Sequence, residues 1–289
     1  MGAAGRLFCF GYGASAQALA ERVRLQGWEV AGTSRDGRDV AGMETIRFDG
    51  TEPMEKAQEH LAEASHLLVS IPPGEEGDVV LQHHDRLIAT CAESLEWVGY
   101  LSTTGVYGNH DGAWVDENTP CAPISKRGRR RRRAEEDWAR LGEKHGIAMH
   151  IFRLAGIYGP GRNPLARIRK GCAQRISKPG QLFSRIHVAD IAAVLEASIR
   201  RPRAGAVYNV CDDEPAPPGE VIAFAAELLG TELPPEVSLE EANLSEMGRS
   251  FYAENKRVSN RLLKEELKVT LAYPTYREGM RGCLSAEDA

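Results

Sequence analysis

Six residues near the N-terminus, Gly11-Tyr12-Gly13-Ala14-Ser15-Ala16, have the spacing of a phosphate cradle. In a G-x-G-x-x-A turn the first glycine permits the tight bend. The second lets the backbone approach a pyrophosphate, and the small third residue lets helix and strand pack closely. The phosphates then meet unpaired N–H groups and the positive end of a helix dipole. The flanking sequence fits: Leu7–Phe10 reads as a buried strand and Ser15–Leu25 as a helix, with Ala16, Leu19, Ala20 and Val23 at helical spacing. The ligand implied is a dinucleotide. Some twenty residues on, an acid would bind the ribose hydroxyls of NAD. Here the stretch is Gly32-Thr33-Ser34-Arg35. Ser34 and Arg35 offer donors and positive charge to a 2′-phosphate, which favours NADP over NAD. Asp36 reaches the ribose if the loop bends. Asp49-Gly50, after a third strand, either meets the adenine or forms a plain turn.

Strands and helices alternate around this motif. Strands are expected at Trp28–Gly32, Thr45–Phe48, Leu67–Ile71, Trp97–Leu101 and Ala148–Leu154, and helices at His83–Ala92 and Lys126–Glu143. The pattern predicts an α/β, Rossmann-type, doubly wound parallel sheet that binds ligands at the carboxyl ends of its strands. After Pro160 the sequence turns rich in Gly, Pro and Arg. We divide the chain into a dinucleotide-binding domain, 1–162, and a smaller C-terminal substrate lobe, 163–289. Part of 182–210 is expected to pack back on the sheet, through Ile186–Ile199 and Tyr208-Asn209-Val210.

Composition sets the outer limits. The 289 residues are 42% hydrophobic and 27% charged, with a net charge of −5, which excludes disordered and fibrous classes and argues against bulk nucleic-acid binding. The six cysteines are scattered without a C-x-x-C, so no metal site is expected and a reducing compartment is the simple reading. No run reaches 18 apolar residues, the N-terminus lacks an apolar leader, and Met1-Gly2 is followed by Arg6 where a myristoylation signal has Ser or Thr. A cytoplasmic protein without membrane partners is expected.

Three further segments carry a resemblance. Leu101-Ser102-Thr103-Thr104-Gly105-Val106-Tyr107-Gly108, Arg153-Leu154-Ala155-Gly156-Ile157-Tyr158-Gly159-Pro160-Gly161 and Ile186-His187-Val188-Ala189-Asp190 resemble motifs of the extended short-chain dehydrogenase/reductase family, in its NAD-dependent epimerase/dehydratase branch. The resemblance covers nearly the whole chain and implies a nicotinamide cofactor. It aligns Thr103 with a hydroxyl that assists the reacting oxygen, and Ser70-Ile71-Pro72 with the segment lining the nicotinamide. It also exposes a departure. The family's Tyr-x-x-x-Lys falls on Pro123-Ile124-Ser125-Lys126-Arg127-Gly128-Arg129-Arg130-Arg131, so Arg127 takes the tyrosine slot and Arg131 the lysine slot. Arginine does not release its proton in proteins, so Arg127 cannot act as the tyrosine would, whereas Arg131 could still hold the ribose.

At 100° per residue Arg127, Arg131, Ala134, Trp138 and Leu141 share an inward stripe, while Arg129, Arg132 and Arg133 point outward, balanced by Glu135, Glu136 and Asp137. An anion clamped by Arg127 and Arg131, with Thr103 as third donor, follows from two adjacent cations. Tyr107 or water would then supply any proton. The expected function is an oxidoreductase, epimerase or dehydratase on an anionic or sugar-nucleotide-like substrate, with altered acid–base residues. The alternative is a non-catalytic NADP(H) sensor. The outward arginines would repel their copies across a two-fold axis, so a monomer is expected, or a dimer that does not use 126–143.

Overall fold

A computed structural model describes residues 5–287, so Met1-Gly2 lies outside the described residues. The first half runs β1 (Arg6–Phe10), α1 (Ala14–Arg24), β2 (Glu29–Ser34), β3 (Ile46–Arg47), α2 (Ala57–Glu63), β4 (His66–Val69), α3 (Val79–Thr90), β5 (Trp97–Thr103), a 3₁₀ turn (Thr104–Val106), β6 (Trp114–Val115), α4 (Lys126–His145) and β7 (Met149–Leu154). There follow β8 (Gly156–Tyr158), α5 (Pro164–Arg169), β9 (Arg175–Ser177), β10 (Arg185–His187), α6 (Val188–Arg200), β11 (Ala206–Val210), α7 (Pro218–Leu229), β12 (Glu236–Ser238), α8 (Glu246–Tyr252), β13 (Arg257–Val258), α9 (Arg261–Leu267) and α10 (Tyr276–Glu287).

Seven strands form one parallel sheet in the order β11-β7-β5-β4-β1-β2-β3. The order reverses between β1 and β4, which makes the carboxyl ends of those strands the crevice where such sheets take ligands. Side chains alternate between faces along each strand. Leu7 and Cys9 pack with α1 and α6 through Leu19, Val23, Ile191 and Leu195. Phe8 and Phe10 pack on the opposite face with Ile88, Ala134 and Trp138 of α3 and α4. Both faces are covered, which is why the strands read as continuous apolar runs.

The chain leaves the sheet after Leu154, returns for α6 and β11, and leaves again. Tyr158, Leu165, Val221, Ala225, Tyr276, Met280 and Cys283 form a separate small core under α5, α7 and α10. Short parallel pairs, β8 with β10 and β9 with β12, lie outside the main sheet, and β6 with β13 ties the C-terminal segment to the loop that follows β5. Among the described residues no helix is long and apolar enough to cross a membrane.

Candidate functional site

The glycine turn lies between the carboxyl ends of β1, β2 and β4. Gly11 has φ +89°, and its N–H donates to Thr33 Oγ1 at 2.9 Å. Ser70, at the end of β4, donates from Oγ to Gly11 O at 2.6 Å and to Phe10 O at 3.2 Å. Ser70 therefore braces the turn across the crevice. Gly13 caps α1 without a side-chain hydrogen bond, and the first turn of α1 contains no acid. A Cβ placed on Gly13 would meet no atom within 4 Å. Gly13 and Ala14 are exposed, while Ser15 and Ala16 are buried against the sheet. Uncapped N–H groups thus face open space at a positive helix end, the requirement for a diphosphate.

The end of β2 carries Ser34, half-buried, and Arg35, exposed. Ser34 Oγ accepts from Thr45 Oγ1 at 2.6 Å, and Asp36 lies 3.6 Å from Arg38. Asp36 is exposed, accepts from Ser34 Oγ at 3.3 Å and forms only a surface pair with Arg38. Asp49 accepts from Thr51 Oγ1 at 2.6 Å and from Thr51 N at 2.9 Å, and these bonds hold its carboxyl at about 2. Gly50, φ +86°, offers its carbonyl to the His83 ring at 3.0 Å. Ile71 is half-buried and Pro72 exposed on the far side of the turn.

Thr103 ends β5, and its Oγ1 accepts from Gly105 N at 3.1 Å. Its hydroxyl hydrogen remains available to an oxygen in the crevice. The neighbouring residues depart from the expected roles. Tyr107 is fully buried. Its hydroxyl donates to Asn209 Oδ1 at 2.8 Å and accepts from Arg153 Nη1 at 2.9 Å. Burial pushes that phenol up to about 12, against the pull of Arg153. A group so enclosed does not deliver protons to the crevice, which corrects the expectation for Tyr107.

Behind Tyr107 lies a charge pair that was not foreseen. Glu135, expected at the surface, is 1% exposed. It accepts from Ser102 Oγ at 2.5 Å and pairs with Arg153 Nη2 at 2.9 Å. Burial alone would lower the Arg153 pKa, but the Glu135 carboxylate outweighs it and raises it. One signal was present: Arg153 is a charged residue inside an apolar strand, and such a residue requires a buried partner. Among the outer acids, Glu136 does meet Arg132, at 2.9 Å.

The two arginines of the departed Tyr/Lys pair diverge. Arg131 turns into the sheet and donates from Nη1 to Leu101 O at 2.7 Å and to Tyr100 Oη at 2.9 Å. Bonded to the strand in this way, it is not oriented to clamp an anion together with Arg127. Arg127 instead reaches the C-terminal lobe, with its guanidinium carbon 4.3 Å from the centre of the Phe251 ring. Close by, Lys256 Nζ bonds Glu254 and the carbonyl of Gly108, both at 2.7 Å. Asn255 staples the same segment to two loops, through Gly180 O and Asn109 Oδ1, each at 2.8 Å. No motif in the sequence pointed to this crossing segment.

Arg185 and His187 pack the lobes. Arg185 donates to Phe183 O at 2.8 Å, and His187 caps α6 through Ala189 N. Beside them Asp212 is 1% exposed with no hydrogen-bond partner for either oxygen. Burial pushes its carboxyl up to about 8, the Arg185 cation opposing. An unfolded aspartate titrates near ~3.9. The folded chain therefore keeps a proton that the unfolded chain loses between those values. The resulting stability is complete below about pH 4 and disappears as pH rises toward 8. Relative to Asp212→Asn, the wild-type unfolding midpoint is expected to fall by roughly 3–6 °C from pH 5 to pH 8. Taking the difference cancels the buried His66, His84, His150 and His187, whose pKa values burial lowers to about 4 and which add stability as pH rises. A difference between the two proteins that does not change with pH would contradict this.

Comparison with known proteins places this geometry. The model of the NAD dependent epimerase/dehydratase family matches residues 11–211. Protein YeeZ of Escherichia coli K12 is 30% identical over 260 residues, 84% of this chain and 89% of the relative. The structure of a functionally unknown conserved protein from Silicibacter pomeroyi DSS is 50% identical, with a TM-score of 0.89, covering 98% of this chain and 99% of that one. MoeE5, solved in complex with UDP-glucose and NAD, is 20% identical with a TM-score of 0.77 over 98% of both chains, a likeness of fold alone.

Proposed function

Because the chain belongs to the NAD dependent epimerase/dehydratase family, we propose that it is an NADP(H)-dependent oxidoreductase, epimerase or dehydratase acting on a small anionic or sugar-nucleotide-like substrate. The observation that carries this reading is the uncapped N-terminus of α1, opened by Gly13 and free of acids in its first turn. The sugar-nucleotide class rests on analogy with MoeE5, whose complex holds UDP-glucose and NAD. A bound nicotinamide would supply hydride acceptance and return.

The chain's own residues supply binding and orientation. The N–H groups of α1 hold the diphosphate. Ser34 and Arg35 hold a 2′-phosphate, with Arg35 exposed and without a carboxylate partner among the described residues. Thr103 directs its hydroxyl hydrogen at a substrate oxygen, because its lone pair is already engaged by Gly105 N–H. With Tyr107 enclosed and arginines in the Tyr and Lys slots, water is the proton carrier. The same replacements favour a second reading, a protein that binds NADP(H) and an anion and reports their presence without turnover.

Calorimetric titration with NADPH and NADH tests the cofactor. An Arg–phosphate hydrogen bond should make NADPH at least about tenfold tighter, and Arg35→Ala should erase the difference. Equal affinities in the wild type overturn the NADP assignment. Failure to bind either nucleotide overturns the function. Hydride transfer, followed at 340 nm with sugar nucleotides and small acids, separates enzyme from sensor.

A further inference from the structure

The first two turns of α4 hold Lys126, Arg127, Arg129, Arg130 and Arg131, with no acid in the first turn. A helix N-terminus carries partial positive charge, so cations there are disfavoured. Most of these arginines are accounted for. Arg129 donates to Ile124 O, Arg130 pairs with Glu75, and Arg131 is bonded to β5. Arg132, at the end of the second turn, pairs with Glu136. Arg127 has neither a hydrogen bond nor a carboxylate partner among the described residues; its only close partner is the face of Phe251.

That contact matters for geometry. The ring anchors the guanidinium over an aromatic face, and none of its five N–H groups has a protein acceptor among the described residues. Arg127 and Phe251 both remain exposed; the partial burial that Arg127 has lowers its pKa, with Glu254 opposing and Arg131 adding repulsion. The location is the carboxyl end of β5. Gly128 packs so tightly there that an added Cβ would sit 2.8 Å from Gly105 O, two residues after Thr103. Arg127 therefore starts at the end of β5, at the position aligned with the family's tyrosine, and carries its unpaired donors to Phe251 of the C-terminal lobe.

We propose that Arg127, resting on Phe251, is the specificity-determining residue of the cleft and binds an oxyanion of the substrate, either a carboxylate or a phosphoryl group. The inference rests on the reading of this crevice as a substrate site beside a dinucleotide. It replaces the clamp of two arginines with one. The nearby Glu254–Lys256 pair is self-neutralising, so the charge offered to the ligand is that of Arg127 together with the unneutralised Arg131 beside it. An incoming anion also relieves the cost of crowding cations at the start of α4.

The test uses the full chain labelled with ¹⁵N-arginine. Sodium pyruvate, inorganic phosphate and sodium chloride are titrated at equal ionic strength while the Arg127 Nε–H resonance is followed, assigned by its loss in Arg127→Gln. A saturable shift with pyruvate or phosphate, absent with chloride, is expected. Pyruvate the tighter assigns a substrate carboxylate; phosphate the tighter assigns a phosphoryl group. Affinity should drop roughly 10–150-fold in Arg127→Gln, read by calorimetry. Arg127→Lys should recover only a small part of it, because a point charge lacks the fork. Phe251→Leu should weaken binding several-fold while keeping the apolar bulk. No saturable shift with either anion, or equal affinity in Arg127→Gln, overturns the proposal. NADPH titration of the same samples separates the two readings: intact nucleotide binding with a silent Arg127 sinks only the anion site, and absent nucleotide binding sinks the cofactor reading.

Discussion

Glu135→Ala is expected to destabilise the protein by about 3–5 kcal/mol. The substitution leaves Arg153, 4% exposed, charged and without its carboxylate. It also strands Ser102 Oγ, which donates to Glu135 at 2.5 Å. Neither group can turn to water, because both lie on the face of the sheet beneath α4. Tyr107 and Asn209 share the network through Arg153, so the loss spreads into β11. Urea unfolding gives the measurement. The double variant Glu135→Leu/Arg153→Met should be far less damaging than the sum of its singles, since it removes both charges together. A single-variant loss under about 1 kcal/mol, or strict additivity in the double, would show that the pair is not what it is described to be.

Gly13→Asp should cut dinucleotide affinity at least about 100-fold, the equivalent of roughly 2.7 kcal/mol. The new side chain projects into open space, so the fold should keep its stability within about 0.5 kcal/mol. What it disturbs is the approach of a diphosphate to the start of α1, first by bulk and then by like charge. Gly11→Ala makes the opposite control. At φ +89° with Ser70 Oγ only 2.6 Å from the added Cβ, it strains the turn and should lower stability as well as affinity. Unchanged NADPH binding in folded Gly13→Asp would remove the phosphate cradle from the site.

Much of this architecture is legible in the residue order because local rules govern it. β1, the glycine turn and α1 follow from a short apolar run, two glycines and one helical stripe. α4 begins at Lys126 after the Ser125 cap, as its pattern implies, and runs to His145 before Gly146 at φ +69°. α3 starts at Val79, four residues before its apolar stripe suggests, because Asp78 caps it with bonds to Val80 N and Leu81 N. β2 extends to Ser34 because β3 pairs with its end, Thr33 opposite Ile46. The site resists such reading wherever two distant elements decide it. Glu135 looks like one more surface acid among surface arginines until Arg153 on β7 claims it. Arg131 shares the inward stripe with Arg127, yet the Leu101 carbonyl takes its fork, whereas Arg127, one turn earlier, clears the sheet and meets Phe251 from the other lobe. Side-chain direction within one stripe is set by those tertiary partners.

The strand order has a consequence for the emerging polypeptide. β11 pairs in register with β7, Ala206 opposite His150 through Val210 opposite Leu154, yet the small lobe begins between them in the chain. During synthesis β7 is made long before the strand that covers its edge. At roughly 5–20 residues per second, the fifty or so intervening residues take ~3–10 s to appear. Throughout that interval the growing sheet shows the ribosome's surroundings an apolar parallel strand with unpaired N–H and C=O groups, a template for wrong pairing. A gene cut at residue 162 would make that transient condition permanent, and its product would be expected to collect as aggregates or on chaperones.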